Sequence, residues 1–212
     1  MSKKTDKIKH RYNRIAPIYD KLEAMMEKGR MGDWRQKLWQ QVEAIAKEKE
    51  GVRLLEAGIG TGKNIPYYPE DIEVYGVDFS DKMLAEAKKR AEELNVEIKL
   101  QEMDIQQLDF PDNYFDIIVT SCVFCSVPAP VQGLKELKRV CKDNGRILML
   151  EHMRSQKEPL GYLMDSMNWI SLLTWGANIN RETIKNINKA GLEIIKEENL
   201  LLDVVKELIL CP

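Results

Sequence analysis

The stretch Leu54-Leu55-Glu56-Ala57-Gly58-Ile59-Gly60-Thr61-Gly62, "LLEAGIGTG", decides how the rest of the chain is read. A short apolar run enters three glycines at alternate positions. Glycine permits a tight turn and lets a ligand approach bare backbone. A helix beginning after such a loop would offer free N–H groups to a carboxylate or phosphate. Glycines after strands often only make turns, so the loop takes its meaning from what surrounds it. It follows Arg53–Ala57, the first strand of an alternating series. The next strand, Glu73–Asp78, ends in an acid about twenty residues further on, where a carboxylate can accept both ribose hydroxyls. Asp104 follows the third strand in "MDI", placed to take an exocyclic amine while Ile105 packs on a base. The spacing is G-x-G-x-G. It is not the dinucleotide G-x-G-x-x-G, and Lys63 follows too closely for a phosphate-binding P-loop. A ligand with one nucleoside and a short charged tail fits best.

Outward from the loop, β-rich runs alternate with helical patterns. Asp81–Leu94 reads as a helix with Ser80 as N-cap and Met83, Leu84, Ala87 and Ala91 on one face. Val96–Glu102 is the third strand. Phe115–Ser121, "FDIIVTS", is the fourth and nearly all apolar, as a strand buried on both faces should be. Val131–Val140 is a helix closed by a turn at Asn144-Gly145, and Arg146–Glu151 is the fifth strand. Such alternation predicts a parallel sheet with helices on both faces. Arg181–Ala190 reads as a helix capped by Asn180 and Gly191. Leu192–Glu197 and Val204–Leu210 then pair as an antiparallel hairpin. Residues 5–50 read as amphipathic helix, with Trp34, Leu38, Val42 and Ile45 at helical spacing. The organisation is an α/β fold: an N-terminal helical cap over 1–50 and a core over 51–212, with 153–180 inserted.

Composition narrows the function classes. At 212 residues and 44% hydrophobic, the chain can build a full core. A net charge of −2 provides no global field for nucleic acid. The basic cluster Lys3, Lys4, Lys7, Lys9, His10, Arg11 and Arg14 reads first as a solvated helix face. No signal peptide or spanning run is visible. Four cysteines are too few for a disulfide framework. The expected location is the cytoplasm, with peripheral membrane contact left open, and the expected state is monomer or homodimer.

"LLEAGIGTG", "VYGVDFS", "MDI", "FDIIVTS" and "NGRILMLEH" fall in the order seen in class I S-adenosylmethionine-dependent methyltransferases, which the chain resembles from about Tyr12 to its end. The resemblance implies a Rossmann-like seven-stranded sheet, its last strand antiparallel and inserted beside the fifth, with S-adenosylmethionine as cofactor. It implies that Glu56, Gly58, Gly60 and Gly62 line the methionine end and that Asp78 holds the ribose. Phe79 and Met83 would pack near the adenosine, Asp104 and Ile105 would contact adenine, and Ser121 would face the sulfonium. "RYNRIAPIYD", Arg11–Asp20, resembles bacterial phospholipid N-methyltransferases and menaquinone/ubiquinone C-methyltransferases, in which a Tyr-Asp pair closes over the cofactor; Tyr19 is the matching position. "CSV", "EH" and "GANINRETIKNINKAGLEI" also resemble methyltransferase-like thiol S-methyltransferases.

For chemistry, Glu151 and His152 end the fifth strand at the expected ligand edge. His152 is either a base tuned near neutrality or a structural residue. Tyr19 is an orienting hydroxyl or a core aromatic. Leu160–Trp175, "LGYLMDSMNWISLLTW", is a greasy acceptor pocket, an interfacial surface, or a helix that merely packs. On the functional reading the acceptor is a small, apolar or lipid-like molecule. Cys122 and Cys125 form a C-x-x-C, but neither a thioredoxin-like setting nor a second ligand pair accompanies it, so no metal site is expected. Cys122 and Phe124 are instead candidates to touch cofactor or acceptor, with Cys125 as packing. A nucleotide-linked oxidoreductase and a catalytically silent cofactor-binding module are the competing readings; an RNA methyltransferase would want a basic face.

Overall fold

The computed structural model describes residues 3–27, 30–174 and 176–212. Seven strands form one sheet: β1 (Arg53–Ala57), β2 (Glu73–Asp78), β3 (Lys99–Glu102), β4 (Phe115–Ser121), β5 (Cys141–His152), β6 (Glu193–Leu201) and β7 (Val205–Cys211). Their order is β3-β2-β1-β4-β5-β7-β6, with β1 to β5 parallel and β7 running antiparallel between β5 and β6. The Rossmann-like fold and the inserted last strand therefore stand as expected.

Because β4 and β5 are covered on both sides, their residues alternate between two cores. Ile117, Val119, Leu148 and Leu150 pack with Leu38, Trp39 and Val42 of α2 (Arg30–Ala46). Ile118, Ile147 and Met149 pack with Leu134 and Leu137 of α4 (Pro130–Val140) and Ile187 of α6 (Thr183–Ala190). The period-two alternation of strand side chains thus reads as a continuous apolar run.

α1 (Lys3–Glu27) is separate in role. It packs on α3 (Asp81–Leu94), contains Pro17, and reaches the cavity described below. α2 is a layer of the sheet core, so the two halves of residues 1–50 do different work. Between β5 and α6 lies α5 (Glu158–Thr174), which buries only Gly161 and Met164; Trp175 lies outside the described residues.

Several boundaries differ from expectation. β3 begins at Lys99 rather than Val96. β5 begins at Cys141: Phe115 pairs with Cys141, then Ile117 with Arg146, so Asn144-Gly145 lies in an irregular stretch of the strand and not in a separate turn. α6 is not capped by Asn180, whose amide donates to Asp165 Oδ1 at 3.0 Å; Glu182 stands at the N-cap position without a side-chain bond. Gly191 does close α6, in the left-handed region at φ +77°. Ser80 caps α3, accepting from Met83 N at 3.2 Å.

Candidate active site

The cavity lies at the carboxyl ends of β1, β2 and β4, where open α/β sheets bind ligands. It holds about 920 Å³ of space, its open mouth included. Glu56, Gly58, Gly60, Asp78, Phe79, Met83, Asp104, Ile105, Ser121, Cys122 and Tyr19 all line it.

The three glycines of the opening stretch do three things, all at positive φ. At Gly58 a Cβ would stand 2.5 Å from Val123 Cγ2, so its absence lets the β1 and β4 loops close together. At Gly62 a Cβ would stand 2.5 Å from Ile65 Cδ1 and 3.1 Å from the Ala87 backbone, so it serves packing against α3 and does not line the cavity, contrary to expectation. At Gly60 nothing lies within 4 Å, which leaves open space at the cavity wall. The expected α-helix after the loop is replaced by turns and a short 3-10 helix, Ile65–Tyr67. Pro66 and Pro69 in "NIPYYP" supply no backbone donors and stop a longer helix.

Two buried carboxylates flank the loop. Glu56 accepts from Asn64 Nδ2 at 2.7 Å and from the Tyr68 hydroxyl; burial nonetheless pushes its carboxyl up to about 7. Asp78 accepts from Gly60 N at 3.0 Å and Ser80 N at 2.9 Å, and burial pushes it up to about 6. Asn64, which also reaches Ser121 Oγ at 3.1 Å, leaves its buried Oδ1 without a hydrogen-bond partner among the described residues. Below β3, Asp104 Oδ1 is 2.9 Å from Gln106 Nε2 and accepts from Gln106 N at 3.0 Å.

The stretch after β4 is clamped from both polarities. Glu151, fully buried, accepts from Thr120 Oγ1 at 2.9 Å, Val123 N at 3.1 Å and Phe124 N at 3.2 Å. Arg181 donates to the carbonyls of Phe124 (3.0 Å), Cys125 (3.3 Å) and Val127 (3.0 Å). A carboxylate collects the amides and a guanidinium collects the carbonyls, so the loop carrying Cys122, Val123 and Ser126 is held in place. Glu151 lies outside the cavity lining, its carboxyl pushed up to about 7 by burial, and His152 lies outside it too, its ring pKa lowered by burial. Both expectations for the ligand edge are corrected in placement: neither residue reaches the cavity, Glu151 because its carboxylate holds the loop after β4, while His152, next to it on the strand, is half-buried on the opposite face. Phe124 is likewise buried in the core and does not touch the cavity. Cys122 does line it, in a left-handed conformation at φ +56° that non-glycine residues rarely adopt. Cys125 is buried, and its thiol is pushed up to about 12, which leaves no thiolate at neutral pH.

α1 supplies the outer wall through Thr5, Ile8, Tyr12 and Tyr19. Tyr12 stands edge-on to Phe79 with ring centroids 5.7 Å apart, and Tyr19 lies 6.1 Å from Tyr12. Burial raises the Tyr12 hydroxyl well above its ordinary value. The helix is fastened at points distant in sequence. Asn13 Oδ1 accepts from Ser80 Oγ at 2.5 Å, and Asn13 Nδ2 donates to Asp81 Oδ1 at 2.8 Å. Asp20 accepts from Thr61 Oγ1 at 2.6 Å and pairs with Arg90, which also donates to Thr61 O at 2.9 Å. Of these, Tyr12, Asn13, Asp20, Asn64, Arg90 and Arg181 were not singled out from the sequence. Only the Tyr-Asp pair carried a signal, through Tyr19.

Comparison with known proteins identifies the family. A methyltransferase-domain family model matches residues 55–149. The chain is 31% identical over 205 residues to a ubiquinone/menaquinone biosynthesis C-methyltransferase of Bdellovibrio bacteriovorus, covering 94% of this chain and 85% of that protein. It is 40% identical over 112 residues to a phosphatidylethanolamine N-methyltransferase of Cereibacter sphaeroides, a match spanning 52% of this chain and 55% of that protein. Among solved structures, the YcgJ protein of Bacillus subtilis superposes with a TM-score of 0.65 at 23% identity, covering 77% of this chain and 72% of that one. The chain belongs to the class I S-adenosylmethionine-dependent methyltransferases, enzymes that take their methyl group from S-adenosylmethionine.

Proposed function

We propose that this methyltransferase acts on a small, apolar or lipid-like acceptor, with a phospholipid amine favoured. The observation that carries the reading is α5. The segment between the fifth strand and the last helix, where an acceptor-site insertion was expected, is a helix that exposes Tyr162, Leu163, Met167, Trp169, Ile170 and Leu173. The 40% identity to a phosphatidylethanolamine N-methyltransferase supports the same class.

The cavity residues fit the cofactor. Glu56 and the unpartnered Asn64 Oδ1 suit an ammonium group at the methionine end. Open space at Gly60 admits a ligand against bare backbone. Asp78 stands ready for ribose hydroxyls, and Asp104, Met103 and Ile105 offer a polar edge and an apolar face to a base. S-adenosylmethionine supplies an activated methyl group on a sulfonium. The protein's part is then to place the acceptor in line with that methyl and to exclude water. Ser121, Cys122, Tyr12 and Tyr19 are the residues for that placement, with the Tyr19 hydroxyl orienting the acceptor. No histidine lines the cavity among the described residues, which suits an acceptor whose own lone pair attacks once its proton has gone to water.

The test is a radiolabelled methyl-transfer screen over phosphatidylethanolamine in mixed micelles, a demethylated quinone and alkyl thiols. The expected product is methylated phosphatidylethanolamine. Label confined to the quinone or the thiols would sink the amine assignment. Cofactor binding without transfer to any acceptor would favour the silent module.

A further inference from the structure

We infer that the outer face of α1 and the exposed face of α5 together form a docking surface for an anionic phospholipid bilayer. The inference rests on the lipid-acceptor reading and adds the partner and the residues.

At roughly 100° per residue, Tyr162, Leu163, Met167, Trp169, Ile170 and Leu173 fall within one arc of about 160° on α5. Only Pro159, Ser166 and Thr174 share that arc, and no charge interrupts it. The side chains are open to solvent: Tyr162 is 65% exposed, Trp169 62% and Leu173 69%. Glu158 and Asp165 lie off the arc and are tied to Arg154. A wide apolar face that includes Trp and Tyr suits the headgroup boundary of a bilayer, where such rings bury their bodies and keep their polar tips wet.

α1 adds the charge. Its inward residues Thr5, Ile8, Tyr12 and Tyr19 line the cavity. On the opposite side Lys7, Arg14 and Lys21 repeat every seven residues, with Ile18 between them, and all are exposed. None of the three cations makes an ion pair or side-chain hydrogen bond among the described residues. Arg11, beside this stripe, donates to the carbonyl of Leu172 at 2.6 Å, which brings the basic stripe beside the carboxyl-terminal turn of α5. Apolar burial plus cations beside it is the combination that binds anionic lipid surfaces, whereas a protein partner would leave the three unpaired cations without a stated counterpart. Docking there would bring the helix that walls the cavity against the membrane that holds the acceptor.

The experiment is co-sedimentation of the full chain with vesicles of phosphatidylcholine alone, or of phosphatidylcholine with phosphatidylglycerol, neither containing an acceptor amine. Binding is expected to the anionic vesicles only, and to weaken with salt. Lys7→Gln/Arg14→Gln/Lys21→Gln should weaken it on the order of 100-fold. Trp169→Ser/Leu173→Ser should weaken it at least about tenfold, while calorimetry shows the parent's cofactor affinity in both variants. Equal binding to neutral and anionic vesicles, or triple-variant binding equal to the parent's, overturns the proposal. So does a chain that sediments as a dimer broken by Trp169→Ser/Leu173→Ser without loss of vesicle binding, which would assign the α5 face to a second copy. Methylation of micellar phosphatidylethanolamine without vesicle docking defeats this inference alone. Docking without that methylation defeats the acceptor reading alone.

Discussion

On one side of the cavity the wall is backbone and buried carboxylate: glycines at positive φ, Glu56, and Asp78 tied to the amides of Gly60 and Ser80. On the other side it is a helix, α1, fastened by side chains at Asn13 and Asp20 to partners some 40 to 70 residues away. The first wall is set by local chain geometry and two completely sheltered acids. The second depends on polar clasps that water can reach, since the Asp20 and Arg90 side chains are 36% and 28% exposed. The difference teaches where rigidity resides: the sheet wall is fixed by local backbone and buried acids, while the α1 wall is held by clasps that solvent can loosen.

Removing an acid from the sheet wall should have the largest effect. Asp78→Ala is expected to weaken S-adenosylmethionine binding by about 2 kcal/mol or more, roughly 30-fold, through the loss of charge-assisted hydrogen bonds. Calorimetry decides it, and unchanged affinity would overturn the ribose assignment. Next comes Glu151→Gln. The carboxamide turns a donor toward the Phe124 amide, leaving a buried N–H unpaired at a cost of about 1–3 kcal/mol. The melting temperature should fall roughly 2–4 °C per kcal/mol, with kcat retained. A collapse of kcat at unchanged melting temperature would return Glu151 to the chemistry.

The buried acids also predict a pH dependence. Their folded-state pKa values are raised, so the stability they contribute is present below the ordinary carboxylate range and is lost as pH rises to about 7 for Glu56 and Glu151 and about 6 for Asp78. Ligand binding has the opposite sign, because the ionised forms accept the cofactor's donors. Affinity should fall as pH drops through 7 and 6, approaching about tenfold per unit between the Glu56 and Asp78 values and about a hundredfold per unit below both. Titration calorimetry from pH 8 to 5 checks this, and an Asp78→Asn variant should lose the lower limb. A flat profile in the parent would separate these acids from binding. The smallest effect belongs to the α1 wall. Arg90→Ala removes a half-exposed clasp worth about 0.5–1 kcal/mol, so the cofactor KM should rise about two- to fivefold. A larger loss than that from Asp78→Ala would invert the comparison between the two walls.

The legible part of the site was the local part. Gly58, Gly60, Asp78, Asp104 and Ser121 each sit at a strand end, and strand ends can be read from periodicity and turn residues alone. Glu151 and His152 were also correctly placed at a strand end, but neither lines the cavity: the two point to opposite faces of the sheet, and Glu151 is taken up by Thr120 and the loop after β4. Position along a strand does not report the face when both faces are buried and the alternating pattern is lost. Gly62 failed for another reason: its missing Cβ makes room for Ile65 and Ala87, a demand indistinguishable in sequence from room for a ligand. The clamp by Arg181 and the clasp by Arg90 join elements far apart in the chain, and nothing near either arginine announces its partner.

By itself the sequence determined the α/β class, the alternating strands and helices, the glycine loop after β1 and the acids at the ends of the strands, because these depend on backbone conformations and periodicities local to a few residues. Only the tertiary structure decided which acid faces the cavity, that α2 belongs to the core while α1 walls the site, and that Arg11 of α1 meets the last turn of α5. Those outcomes depend on packing between segments distant in the chain, and a side chain's partners across such distances are set by the folded geometry.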